Sequence, residues 1–149
     1  MNKFRTHTCA ELSEKDIGKN IFLSGWIHRK RDHGNLLFID LRDHYGVTQC
    51  VVENNDKSFP ILEKTRPESV VKISGKVLKR SLGTENLDLK TGKVEVSIKD
   101  VEILSEAKEL PIPVFGEQDY PEDLRLKFRF LDLRRFEMQK NIILRSKVI

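Results

Sequence analysis

Apolar and polar residues alternate with a period of two over five stretches of the chain, a rhythm that predicts strands. Residues 20–30 set Ile21, Leu23, Gly25 and Ile27 against Phe22, Ser24, Trp26 and His28. Residues 36–42 set Leu37, Ile39 and Leu41 against Leu36, Phe38, Asp40 and Arg42. Residues 47–53 set Thr48, Cys50 and Val52 against Val47, Gln49 and Val51. Turn compositions at 32–35 (Asp, His, Gly, Asn) and 43–46 (Asp, His, Tyr, Gly) join these three stretches into a meander. Alternation resumes over 69–80, with Val71, Ile73, Gly75 and Val77 on one side. It returns over 94–104, through Val94, Val96 and Ile98 and then Val101 and Ile103.

Between the third and fourth strands the period changes. Phe59, Ile61 and Leu62 in a polar setting, with Pro60 in the first turn, predict a short helix. Ser13 as a cap and Gly18 as a terminator predict a single helical turn near the start. Residues 81–93 are polar and contain two glycines, so they read as a long loop. Gly25 in mid-strand permits the sharp bend that a small coiled barrel needs. The expected fold class is mainly β: a five-stranded Greek-key OB-fold barrel with short helices, over residues 1–104. An unrelated small barrel or sandwich would share the strand count. After the barrel, the Leu110-Pro111-Ile112-Pro113 run marks residues 105–120 as a linker. Residues 121–149 read as a C-terminal helical segment that begins at Pro121. Met138, Ile142 and Ile149 lie near one stripe of its last helix, and the final residue carries no capping signal. The expectation is a chain broken off inside a helix of a following, truncated domain; the competing reading is a C-terminal helix docked back on the barrel.

Charge changes the picture locally only. The net charge is +4, and residues 1–104 carry 18 Lys and Arg against 15 Asp and Glu, so the barrel has no general basic coat. A nucleic-acid partner would then be held by a local patch with base contacts. The second strand supplies such a patch. Phe38 shares its face with Asp40 and Arg42, beside Arg29, Lys30 and Arg31. A ring next to guanidinium groups can stack an unpaired base while its phosphates are held. The competing reading packs Phe38 under a loop and leaves the basic residues as a solvated hairpin end. Cys9 and Cys50 form no CxxC pair, so free thiols in a reducing compartment are expected, which points to the cytoplasm. No apolar run approaches the length of a membrane span.

Four segments resemble the N-terminal region of the bacterial aspartyl-tRNA synthetases, a class II family with an OB-fold anticodon-binding domain. They are RTHTC at 5–9, GWIHRKRDHG at 25–34, LFIDLRD at 37–43 with GVTQ at 46–49, and RLKFRFLDLRR at 125–135. The last is shared with the asparagine and lysine enzymes, and the match from near residue 1 favours the aspartate enzyme. The resemblance implies that Phe38 stacks on the central uracil of an anticodon and that Gln49 hydrogen-bonds it. Arg29 and Arg31 would contact the anticodon loop, and Glu95 would help to read a neighbouring base. His33 and Gly83 are similar to the residues of members that also charge tRNA-Asn. The implied partners are therefore tRNA-Asp, tRNA-Asn as a further one, and a second copy of the parent enzyme. ATP, magnesium and aspartate are implied for that parent only. In this stretch no paired-carboxylate, Ser/His/Asp, metal-ligand or phosphate-cradling pattern occurs, so it is expected to bind without catalysing. A general single-strand-binding module, the anticodon domain of a related lysine or asparagine synthetase, and a protein-interaction module remain as alternatives.

Overall fold

Leu37, Ile39 and Leu41 pair across to Val52, Cys50 and Thr48, and all six side chains are buried. They form one wall of a closed barrel in a computed structural model that describes residues 3–81, 83–116 and 120–149. The strands are β1 (Asn20–Asp32), β2 (Leu36–Arg42), β3 (Val47–Glu53), β4 (Val70–Lys79) and β5 (Val94–Ser105). Helix α1 (Phe59–Lys64) joins β3 to β4, with proline in its first turn. The order around the barrel is β1-β2-β3-β5-β4, and β4 pairs back to β1. All pairs are antiparallel except β3 with β5, which runs parallel through Cys50–Val96 and Val51–Ser97. This is the five-stranded OB-fold barrel that the alternation predicts.

The predicted inner residues fill it. Ile21, Leu23, Ile27, Val71, Ile73, Val77, Val94, Val96 and Ile98 join the β2 and β3 residues in one core, with Leu62 of α1 and Leu12. Both cysteines are free and buried within it. Gly25 does more than bend the chain. A Cβ there would collide with the Arg42 carbonyl oxygen, so the close approach of β1 to β2 requires glycine. The predicted N-terminal turn is a 3-10 turn, Glu14–Asp16, with Ser13 at the N-cap position donating from its N–H and hydroxyl to Asp16 Oδ2, and it is followed by Gly18 at φ 88°.

Two compact units divide the chain at residues 108 and 109. The second contains α2 (Glu122–Lys127), α3 (Arg129–Asp132) and α4 (Phe136–Val148). Its small core joins Ile112, Val114 and Leu131, so part of the proline-rich stretch read as linker is packed. Residues 117–119 of that stretch lie outside the described residues. On α4 no residue is buried.

Candidate nucleic-acid interface

Strict alternation along β1 from Ile27 would send Arg29 and Arg31 into the barrel. Instead the register with β2 slips by one residue between Ile27 and Arg29, a bulge at His28. Beyond it Arg29 stands opposite Asp40 and Arg31 opposite Phe38, while Lys30 falls into line with the buried Ile39. One extra residue thus re-aims both arginines onto the outer face.

Two cross-strand rows result. In one, Arg29, Asp40 and Gln49 are successive register partners, and Glu95 of β5 lies beyond Gln49. In the other, Arg31, Phe38, Val51 and Ser97 succeed one another. Phe38 and Gln49 are therefore diagonal neighbours on one face. The Phe38 ring is half-buried, flanked by the buried inward residues Leu37 and Ile39, and the His33 ring meets it edge-on at 5.4 Å between centroids. An outer ring with an edge contact on one side keeps the hydrophobic surface on which a base can stack.

Polar groups in these rows bond to one another. Arg31 Nη2 donates to Asp40 Oδ1 at 2.9 Å and to Gln49 Oε1 at 3.1 Å, and Gln49 Nε2 donates to Glu95 Oε2 at 2.8 Å. Gln49 is recessed, with 8% of its surface exposed, whereas the Arg31 side chain is 45% exposed. Beneath this edge lies Arg80, a residue that alternation gave no reason to single out. It is buried, its Nε donates to the Val94 carbonyl, and Nη1 donates to the Thr84 carbonyl. Nη2 has no hydrogen-bond partner among the described residues. Burial depresses its pKa, opposed by the negative charges of Glu95 and Asp40.

Gly83 belongs to the loop between β4 and β5, with φ 84° and nothing within 4 Å of where a Cβ would sit. The Arg80–Thr84 bond ties the start of that loop to the site's rim, but Gly83 itself is not gathered with the other six candidates. Two neighbouring basic residues, Lys30 and Arg42, are committed elsewhere. Lys30 Nζ donates to the carbonyls of Leu62, Glu63 and Thr65, capping the C-terminal end of α1. Burial there pushes its ammonium pKa down. Arg42 Nη2 donates to both carboxylate oxygens of Glu68 at 2.9 Å, and its Nη1 meets His28 Nδ1 at 3.1 Å. Neither serves as a phosphate grip in this arrangement. Sequence parity had no means of seeing the end of α1 that holds Lys30 or the Glu68 carboxylate that holds Arg42.

Among the described residues no cluster of His, Cys, Asp and Glu is arranged to hold a metal ion, and no helix is long and apolar enough to cross a membrane.

Comparison with known proteins decides the family. The model of the tRNA anti-codon family, an OB-fold nucleic acid binding domain, matches residues 21–104. The chain belongs to that family. It is 60% identical over 149 residues to an Aspartate--tRNA(Asp/Asn) ligase of Pelagibacter ubique (strain HTCC1062), covering 100% of this chain and 25% of that protein. A protein of the same name from Bradyrhizobium sp. (strain ORS 278) is 58% identical with the same coverage. The chain thus spans about a quarter of the length of the curated relatives it matches. Among solved structures, asparaginyl-tRNA synthetase from Pyrococcus horikoshii complexed with asparaginyl-adenylate has a TM-score of 0.72 and 30% identity, covering 87% of this chain and 29% of that one. The likeness to aspartyl-tRNA synthetases carried by the four sequence segments agrees with these relatives. This OB-fold nucleic acid binding domain therefore presents its aromatic ring, recessed amide and arginines on the outer face of β1, β2 and β3.

Proposed function

We propose that this domain reads the anticodon of a transfer RNA. The observation that carries the proposal is the recessed Gln49 amide beside the half-buried, outward Phe38 ring on an OB-fold barrel. Phe38 stacks on the central uracil, which supplies affinity without regard to base identity. Gln49 offers one donor and one acceptor to the edge of that base, which supplies the discrimination. Arg29 and Arg31 hold the loop backbone, Arg80 has a spare N–H for a nearby acceptor, and Glu95 reads a neighbouring base or orients Gln49. The outer face mixes these cations with Asp40 and Glu95, so recognition rests on local contacts more than on bulk charge.

The parent enzyme is proposed to be an ATP-dependent aspartate–tRNA ligase of class II, dimeric and cytoplasmic, that uses magnesium and charges tRNA-Asp. The residues described here take part by binding RNA, and the chemistry belongs to the remaining three-quarters of the length of such relatives. His33 and Gly83 would relax the reading of the third anticodon base, which admits tRNA-Asn. The name Aspartate--tRNA(Asp/Asn) ligase, carried by the relatives, supports that extension.

Titration of the chain with a labelled anticodon stem-loop, a loop-scrambled hairpin and random oligonucleotides tests the reading. The stem-loop is expected to bind at least about tenfold more tightly than either control. Equal binding to all three would make this a general single-strand binder instead.

A further inference from the structure

Gln49 is gripped from two sides by opposite charges. Its oxygen accepts from the Arg31 guanidinium at 3.1 Å, and its nitrogen donates to the Glu95 carboxylate at 2.8 Å. Reversing the amide would set N–H against N–H on one side and oxygen against carboxylate on the other. Each is repulsive, so one orientation is fixed. Arg31 is in turn fixed: the same Nη2 that donates to Gln49 also donates to Asp40 Oδ1 at 2.9 Å. The two hydrogens of a single nitrogen are thereby shared between a carboxylate and an amide oxygen. Asp40 is the register partner of both Arg29 and Gln49, and its side chain is 15% exposed.

That orientation matters for pyrimidines. Along the Watson–Crick edge uracil presents an acceptor at O4 and a donor at N3, whereas cytosine presents a donor at N4 and an acceptor at N3. One amide orientation complements the first and the reversed orientation the second. Oε1 keeps a spare lone pair and Nε2 a spare hydrogen for such a base.

We infer that Asp40 is a positioning residue for base identity: by anchoring Arg31 it completes, with Glu95, a clamp that stops the Gln49 amide from reversing and so selects uracil over cytosine. The inference rests on the anticodon-reading proposal above and assigns to Asp40 a role that requires no contact with RNA. Stacking on Phe38 and the Arg29 contact to the loop backbone lie outside the clamp, whereas Arg31 belongs to both. Loosening it should therefore change the ratio of affinities more than their sum.

The full chain is titrated with labelled anticodon stem-loops that differ only in a central U or C, as wild type, Asp40→Asn, Glu95→Gln and Phe38→Ala. Both clamp variants are expected to reduce the U-to-C affinity ratio by about tenfold, since a freed amide can satisfy either base. Phe38→Ala is expected to weaken both loops by a similar factor and leave the ratio in place. The Gln49 side-chain amide resonances are expected to be shifted from free-amide values in wild type and to move toward those values in Asp40→Asn. Circular dichroism checks folding; should Asp40→Asn unfold the barrel, Asp40→Ser, which also removes the carboxylate, takes its place, and Glu95→Gln, at a half-buried position, reports on the other arm of the clamp. A wild type that prefers uracil, with folded variants that keep the full ratio, overturns the clamp alone. A wild type with no preference between the loops overturns the anticodon reading and the clamp with it.

Discussion

The proposed anticodon reading gives affinity to Phe38 and base identity to Gln49, and single substitutions separate the two. Removing the ring in Phe38→Ala forfeits a stacked base, worth about 1–3 kcal/mol, so stem-loop binding measured by fluorescence anisotropy should weaken roughly tenfold or more. Gln49→Ala keeps the ring and should lower the preference for a central uracil more than it lowers affinity. His28 carries a different consequence. Burial, and then the nearby Arg42 charge, hold its pKa down at about 4 from an ordinary 6.5, with Asp40 opposing and Arg29 adding to the depression. The unfolded chain therefore binds a proton near pH 6.5 that the folded chain refuses. Stability is complete above that value and falls as pH drops from 6.5 toward 4. By pH 5 the loss should be on the order of 1–2 kcal/mol, read as a lower urea midpoint. His28→Gln should flatten that dependence. Asp16, held down at about 2 chiefly by its bond from Lys19, acts only between 3.8 and 2 and leaves this window undisturbed.

At the scale of elements, the β1 bulge and the C-terminal end of α1 decide which basic residues face outward. Lys30 sits between Arg29 and Arg31 in sequence, yet its three bonds to carbonyls of Leu62, Glu63 and Thr65 bind it to α1. Lys30→Met keeps the aliphatic stem and strands those acceptors, so a destabilisation of about 1–3 kcal/mol is expected in urea unfolding. RNA affinity of the folded variant should change little. The glycines differ by their elements in the same way. Gly25→Ala drives a Cβ into the Arg42 carbonyl of the paired strand and should cost about 2 kcal/mol or more. Gly83→Ala meets only the left-handed backbone at φ 84° in open space and should cost about 1 kcal/mol.

For the whole molecule, the barrel and the second unit each carry their own core. The barrel holds every candidate contact to RNA, so excising residues 109–149 should leave stem-loop binding within about threefold of that of the full chain, by titration. For the parent enzyme, the third-base proposal predicts charging of tRNA-Asn transcripts with aspartate well above background. Charging of tRNA-Asp alone would return His33 and Gly83 to the role of loop residues.

Period-two alternation by itself determined the strands and their inward faces, because a strand that buries one face must place Ile21, Leu23 and Ile27, or Leu37, Ile39 and Leu41, on the same side; closure into a barrel came from the tertiary pairing. It also determined that Phe38 and Gln49 share the opposite face of the sheet. Only the tertiary structure decided which cations join them. A one-residue slip at His28 leaves no mark on composition, yet it inverts every side chain beyond it and brings Arg31 to Gln49. Arg80 and Glu95 are far from these residues in sequence, and they come to the site through the closure of β5 onto β3 and β4. Alternation specifies a face, but the partners on that face are set by pairing register between distant strands.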